Sequence, residues 1–235
     1  MRALLLSLLL MSVPAWGAFS YIASASGGPA GTTPAIDSTG ATLLVVVVAL
    51  DAGAGTRTVG DNVGGYGNTY TLAKTVTSVG GGINEIYYCV NPAHVGSGHT
   101  FTVASANSYP SIYAAAYSGS AASPLDSITN SATISSGTSI QPGSITPSCT
   151  NELVIAGLMA EAGTPTVSGA TLRQARATQS GSFGGALADS IQTSKTAINP
   201  IWSFSSGHAG ATIVAFRAVD SVCAGAVRHR VIGGE

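Results

Sequence analysis

The apolar positions along this chain come in short blocks rather than in helical stripes. Runs rich in Val, Ile, Thr, Tyr and Ala alternate with clusters of Gly, Ser, Pro and Asn. Blocks of this composition between turn residues predict strands. They fall at Phe19–Ala25, Leu43–Leu50, Thr56–Asp61, Thr69–Thr75, Asn84–Val90, Thr100–Ala104 and Ile112–Ser118. A second set falls at Ile128–Ile134, Leu153–Ala160, Ala170–Ala177, Gly185–Ser190, Ile201–Ser205 and Ala211–Ala218. No stretch beyond the N-terminal segment keeps a 3.6-residue apolar period, so the expected class is all-β.

One block breaks the alternation of a half-buried strand. "LLVVVVAL", Leu43 to Leu50, is apolar at every position. An unbroken run of strand length predicts a strand covered on both faces. It is far shorter than the roughly 20 residues of a membrane helix.

That run has a gapless counterpart. "LLVVVVALDAGAGT" from Leu43 aligns with "LVIAGLMAEAGTPT" from Leu153, so that Val45 meets Ile155 and Asp51 meets Glu161. Downstream, "HTFTV" (99–103) resembles "PIWSF" (200–204), and "IYAAAYSG" (112–119) resembles "ATIVAFRA" (211–218). Upstream, "TPAIDSTGATLL" (33–44) resembles "GSITPSCTNELV" (143–154). The shared order predicts two pseudo-repeated halves, about 32–119 and 143–218, joined by a Ser/Thr-rich crossover at 120–142. Half a chain of this kind buries too little by itself. The halves are therefore expected to share one core in a single domain over 19–218, a two-sheet antiparallel β-sandwich of jelly-roll or immunoglobulin-like type. Ile128 and Ile134 predict an added edge strand, and 219–235 a flexible C-terminal tail.

The N-terminus, "MRALLLSLLLMSVPAWGAFS", places Arg2 before an apolar run that Pro14 breaks, with Ala15 and Gly17 at the positions a signal peptidase reads. Residues 1–17 are expected to be a secretory signal, with no membrane span after its removal. Cys89, Cys149 and Cys223 are odd in number, so at most one intramolecular disulfide forms, and their spacing does not decide whether one does. None is at CxxC spacing, so no zinc site is indicated. Charged residues make up only 8% of the chain and the net charge is −1, which excludes a basic nucleic-acid footprint. A hydrophobic content of 45% excludes disorder of the low-hydrophobicity kind.

The order "SYIASASG", "LLVVVVAL", "VGDNVGGYGNTYTLA", "EIYYCVNPAHVGSGHTFTV", "AASPLD", "NELVIAG", a Trp strand and "ATIVAFRA" resembles a poorly characterised family of β-sandwich domains in bacterial secreted proteins and phage structural proteins. The resemblance spans 19–218. It implies a sandwich fold and supplies no catalytic residues.

Chemistry is sparse. Glycoside hydrolysis needs two facing carboxylates, and Asp51 and Glu161, at matching strand ends, are the pair to consider. His94, His99, His208 and His229 show neither HxH nor HExxH spacing. There is no GxSxG elbow. The best binding candidate is the loop "DNVGGYGNTY" (61–70): Asp61, Asn62 and Asn68 offer oxygens, and Tyr66 and Tyr70 offer rings that stack on sugars. The same oxygens suit calcium, which takes about six to eight such ligands, and the same Asn and Gly suit a tight turn. Tyr87, Tyr88, Tyr113, Tyr117, Trp202 and Phe216 lie on predicted strands, where core packing is the default and an exposed stripe would be a ligand platform. The expected function is an exported, non-catalytic binding or adhesion module whose partner is a glycan or a cell or particle surface. The alternatives are a virion structural protein, as a capsid decoration or fibre component, and a glycan hydrolase.

Overall fold

The computed structural model describes residues 18–51, 53, 55, 57–61, 67–105, 110–179 and 183–223. The expected signal segment lies outside them. Among the described residues every regular element is a strand. They are β1 (Ser20–Gly27), β2 (Leu43–Asp51), β3 (Arg57–Asp61), β4 (Thr71–Thr77), β5 (Gly82–Val90), β6 (Phe101–Ser105) and β7 (Ser111–Ser118). Then follow β8 (Ser120–Ile140), β9 (Glu152–Ala160), β10 (Thr166–Ser168), β11 (Thr171–Arg176), β12 (Gly184–Gln192) and β13 (Ile201–Ala218).

Two antiparallel sheets pack face to face. The first has the order β1-β7-β2-β5-β4. In the second, β13-β9-β12-β11 is flanked on the β13 side by β8 and β10. A small sheet, β3-β6, is the third. Across the interface β1 packs on β11 and β4 on β8, while β2 meets β9.

The unbroken apolar run is explained by this layering. Every residue from Leu43 to Leu50 has 0% exposure. On the inner face, Leu43, Val45, Val47 and Ala49 meet Leu153, Ile155 and Met159 of β9, together with Tyr113, Tyr117 and Phe216. On the outer face, Leu44, Val46, Val48 and Leu50 lie beneath Val59, Phe101 and Val103 of the β3-β6 sheet. β9 is covered in the same way: Val154, Ala156, Leu158 and Ala160 pack under Ile145, Ile198, Trp202 and Phe204. From Leu43 to Leu50 and from Leu153 to Ala160 each central strand is thus buried on both sides, and no polar side chain lies along it. At Gly157 the two sheets approach closely. A Cβ there would lie 2.8 Å from Asn84 Oδ1 and 2.9 Å from Val47 Cγ1, so only glycine fits without displacement. Asn84 itself is buried but satisfied: Thr212 Oγ1 donates to its Oδ1, and its Nδ2 donates to the Val48 carbonyl.

Several expectations change in detail. Residues 120–140 form one long strand, β8, on the β13 edge, rather than a crossover carrying a short strand at 128–134. The expected strands 201–205 and 211–218 are one element, β13, whose first part pairs β10 and whose remainder pairs β9. The tail is fixed at its start: Val219 N donates to Gly119 O, and Cys223 is disulfide-bonded to Cys149. Residues beyond Cys223 lie outside the described part. Cys89 is free and buried.

The disulfide closes a sequence separation of 74 residues, which restricts the unfolded chain strongly. Its reduction is expected to lower stability by about 2–4 kcal/mol. Urea unfolding with and without a reductant checks this, with Cys149→Ala as the non-reducible control.

Candidate functional site

The 61–70 segment begins at the end of β3, and strand alternation decides where its carboxylate goes. Arg57, Val59 and Asp61 share one face of β3, and Val59 is buried against the first sheet. Asp61 is therefore directed inward, and its side chain has 0% exposure. The partner strand does the same with His99, Phe101 and Val103. His99 precedes β6 by two positions and pairs with Ile36 in an isolated bridge. Its ring is also fully buried, stacked on Phe101 at 4.4 Å and 11°.

These two inward groups meet. His99 Nε2 lies 3.0 Å from Asp61 Oδ2. Two residues from the other end of the loop join them: Tyr70 OH donates to Asp61 Oδ2 at 2.8 Å, and Asn68 donates its backbone N–H to Oδ1 and its Nδ2 to Oδ2. Asn68 also exchanges hydrogen bonds with the His94 backbone, donating from Nδ2 to the carbonyl and accepting the N–H on Oδ1. Four donors thus converge on one carboxylate. Burial opposes its ionisation, but the hydrogen bonds from His99, Asn68 and Tyr70 outweigh burial and hold the carboxyl down at about 2. The Tyr70 hydroxyl is correspondingly held well above the usual phenol range by burial and by the Asp61 charge.

On its far side His99 contacts serine. Ser38 Oγ lies 2.7 Å from His99 Nδ1 and accepts the Gly96 N–H at 3.0 Å. With Asp61 ionised, Nε2–H donates to the carboxylate, and Ser38 Oγ also donates to the Gly96 carbonyl at 3.3 Å. The result, Ser38–His99–Asp61, has the residue types of a hydrolytic triad but not its arrangement. A catalytic histidine presents Nε2 to the serine, beside an open site with oxyanion donors. Here Nδ1 faces the serine and Ser38 has 0% exposure, so no substrate carbonyl can reach Oγ. The Cys89 thiol behind Tyr70 is equally inert: burial, then the Asp61 charge, push it up to about 11.

The opposite end of β3 is fixed by a second buried pair. Arg57 forks onto Glu85 of β5 at 2.9 and 2.7 Å, and Tyr87 OH donates to the same carboxylate at 2.8 Å. The cover strand is therefore tied at both ends, and the Asp61 end doubles as the base of the loop.

Of the five loop residues singled out from sequence, Asp61, Asn68 and Tyr70 come together. Asn62 and Tyr66 lie outside the described residues. Asp51 and Glu161 are engaged separately: Asp51 Oδ1 caps the Gly53 N–H at 2.9 Å, and Glu161 Oε2 lies 2.9 Å from His208 Nδ1. Both Asp61 oxygens face donors, and among the described residues no group of three or more His, Cys, Asp or Glu converges. Of the strand aromatics, Tyr113, Tyr117, Trp202 and Phe216 are fully buried. Tyr88 is half-buried against Phe216 and lines an open groove with Val90 and Ala122–Leu125. Sequence reasoning missed Ser38 and His99. The signal for His99 was available, because it stands two and four positions before the inward-facing Phe101 and Val103.

No family model, no curated protein and no solved structure matches this chain.

Proposed function

We infer that this chain is an exported, non-catalytic β-sandwich module that binds a glycan through the 61–70 loop. One observation carries the reading: hydrogen bonds to Asp61 tie together the residues at the two ends of the loop. Asp61 on one side and Asn68 and Tyr70 on the other are locked to one another, which fixes the base of the loop. A fixed base lowers the ordering cost of binding. The proposed contacts are then Asn62, an amide for sugar hydroxyls, and Tyr66, a ring for a sugar face. Export is supported by the signal-like N-terminus and by a Cys149–Cys223 disulfide, a bond suited to oxidising compartments.

The same reading favours a duplicated scaffold. Ranked within each half, β1-β7-β2-β5-β4 and β8-β13-β9-β12-β11 have the same order. The registers agree as well: Leu43 faces Val90 and Tyr117, and Leu153 faces Ile191 and Phe216. Even an irregularity recurs, between Leu72 and Lys74 in β4 and between Leu172 and Gln174 in β11. Bulges are specific features that chance similarity does not reproduce. The halves differ in their polar groups, since the Asp61–His99 knot belongs to the first.

A carbohydrate array tests the binding reading. The expected result is retention of the wild-type protein, reduced at least about tenfold by Tyr66→Ala, as for loss of a stacking anchor. Absence of retention on every glycan, or retention unchanged by Tyr66→Ala, contradicts it.

A further inference from the structure

A second buried acidic group lies in the other main sheet, beside the disulfide. Asp126 of β8 and Glu152 of β9 both have 0% exposure. Consecutive amides bring them together: Ser148 N donates to Asp126 Oδ2 at 2.8 Å, and Cys149 N donates to Glu152 Oε1 at 2.8 Å. Ser148 bridges the two carboxyls, since its Oγ also donates to Glu152 Oε1 at 3.5 Å. The cation of the cluster is Arg217 of β13, whose guanidinium donates to Asp126 Oδ1 at 3.0 Å. Asp220, just beyond β13, accepts from Asn151 Nδ2 and adds further negative charge nearby. Glu152 Oε2 is buried without a hydrogen-bond partner.

Two carboxylates against one guanidinium leave a buried negative charge uncompensated, which is unfavourable. A single proton resolves it. Placed on Glu152, it removes the uncompensated charge, and the remaining charge on Asp126 is matched by Arg217.

We propose that Asp126, Glu152 and Arg217 form a proton-held clamp that fastens β8, the disulfide-bearing segment 148–149 and β13 together, closed while Glu152 carries its proton and loosened when it ionises.

The electrostatics agree with the geometry. For Asp126, burial works against the charge, but hydrogen bonds from Ser148 and Arg217 hold its carboxyl below the usual range. For Glu152, burial dominates, and the Asp126 charge adds to it. Together they push the carboxyl up to about 7 despite the Cys149 N–H. Pushing two neighbouring carboxyls apart in this way is how a pair comes to share one proton. The sign follows: the folded state keeps a proton that the unfolded chain releases at about 4.5. The clamp's contribution is complete below that value and is lost as pH rises through about 7.

The test is thermal unfolding of the full-length protein from about pH 5 to about pH 9, wild type beside Glu152→Gln. Gln keeps an acceptor for the Cys149 amide and stays neutral at every pH. The expected result is a wild-type midpoint that falls toward alkaline pH and a variant midpoint that does not share this fall. The same decline in both proteins overturns the proposal. Should the variant not fold, carboxyl carbon NMR of the wild-type protein decides: a Glu152 midpoint near 7 supports the clamp, and one near the ordinary 4.5 contradicts it. Both readouts are independent of glycan binding.

Discussion

Replacing Asp61 by Ala is expected to destabilise the protein by about 3–5 kcal/mol, because several buried donors are left unsatisfied at about 1–3 kcal/mol each before relaxation. Four donors lose their acceptor together: the Asn68 amide and side chain, the Tyr70 hydroxyl and His99 Nε2. They sit under the β3-β6 cover, where water does not replace the carboxylate easily, and unsatisfied buried donors are expensive. Urea unfolding near neutral pH measures the loss. Against a typical total of about 5–15 kcal/mol, it leaves a marginal fold. The acid limb gives a second readout. Because the carboxyl is held at about 2 against an ordinary 3.8, its contribution is present above 3.8 and fades as pH falls toward 2. The Asp61→Ala protein lacks that component of acid sensitivity. A loss below about 0.5 kcal/mol, the range of an ordinary surface site, shows that the network is not structural.

The second large effect is at the outer covers. Phe101→Ala and Trp202→Ala are each expected to lose about 3–5 kcal/mol, as for large aromatic truncations in a core. Both side chains have 0% exposure, although neither lies between the two main sheets. Phe101 covers the outer face of β2, and Trp202 covers that of β9. Trp202 Nε1 has no hydrogen-bond partner, so its loss reports packing alone. Val79, 78% exposed on the turn between β4 and β5, is the control, and Val79→Ala is expected to change stability by less than about 0.5 kcal/mol. If the aromatic variants resemble this control, the outer faces of β2 and β9 are not true core.

These two sites also show what the sequence made legible. The all-β class and most strand positions follow from block length and turn residues. "LLVVVVAL" forecast a doubly covered strand because an absence of alternation has few other physical causes. What provides the cover was less visible, since Phe101 and Trp202 lie far from β2 and β9 in the chain and read as ordinary strand aromatics. β8 was foreseen only around Ile128 and Ile134 because its pattern is mostly Ser and Thr. Its strand character comes from the long β13 edge beside it, a tertiary contact and not a propensity.

The candidate site was legible in part and for an instructive reason. Asp61, Asn68 and Tyr70 were chosen as groups able to hold a ligand, and the same hydrogen-bonding capacity holds them to each other. Composition cannot tell an outward carboxylate from an inward one; strand parity can, once Val59 and Phe101 are recognised as inward. His99 became visible by the same parity. Ser38 did not, because it belongs to an irregular segment where no period applies. Asp126 and Glu152 are 26 residues apart in sequence, and only the turn at Ser148 and Cys149 brings them together.

The central claim is that the Asp61–His99 network anchors the base of the 61–70 loop. Native-state hydrogen exchange at the Asn68 amide, which donates to Asp61 Oδ1 at 2.9 Å, tests it most directly. An anchored loop base predicts that this amide opens only with the surrounding sheet, so that its protection falls within about tenfold of that of amides in β2. Exchange at the rate of an unprotected loop amide contradicts the account.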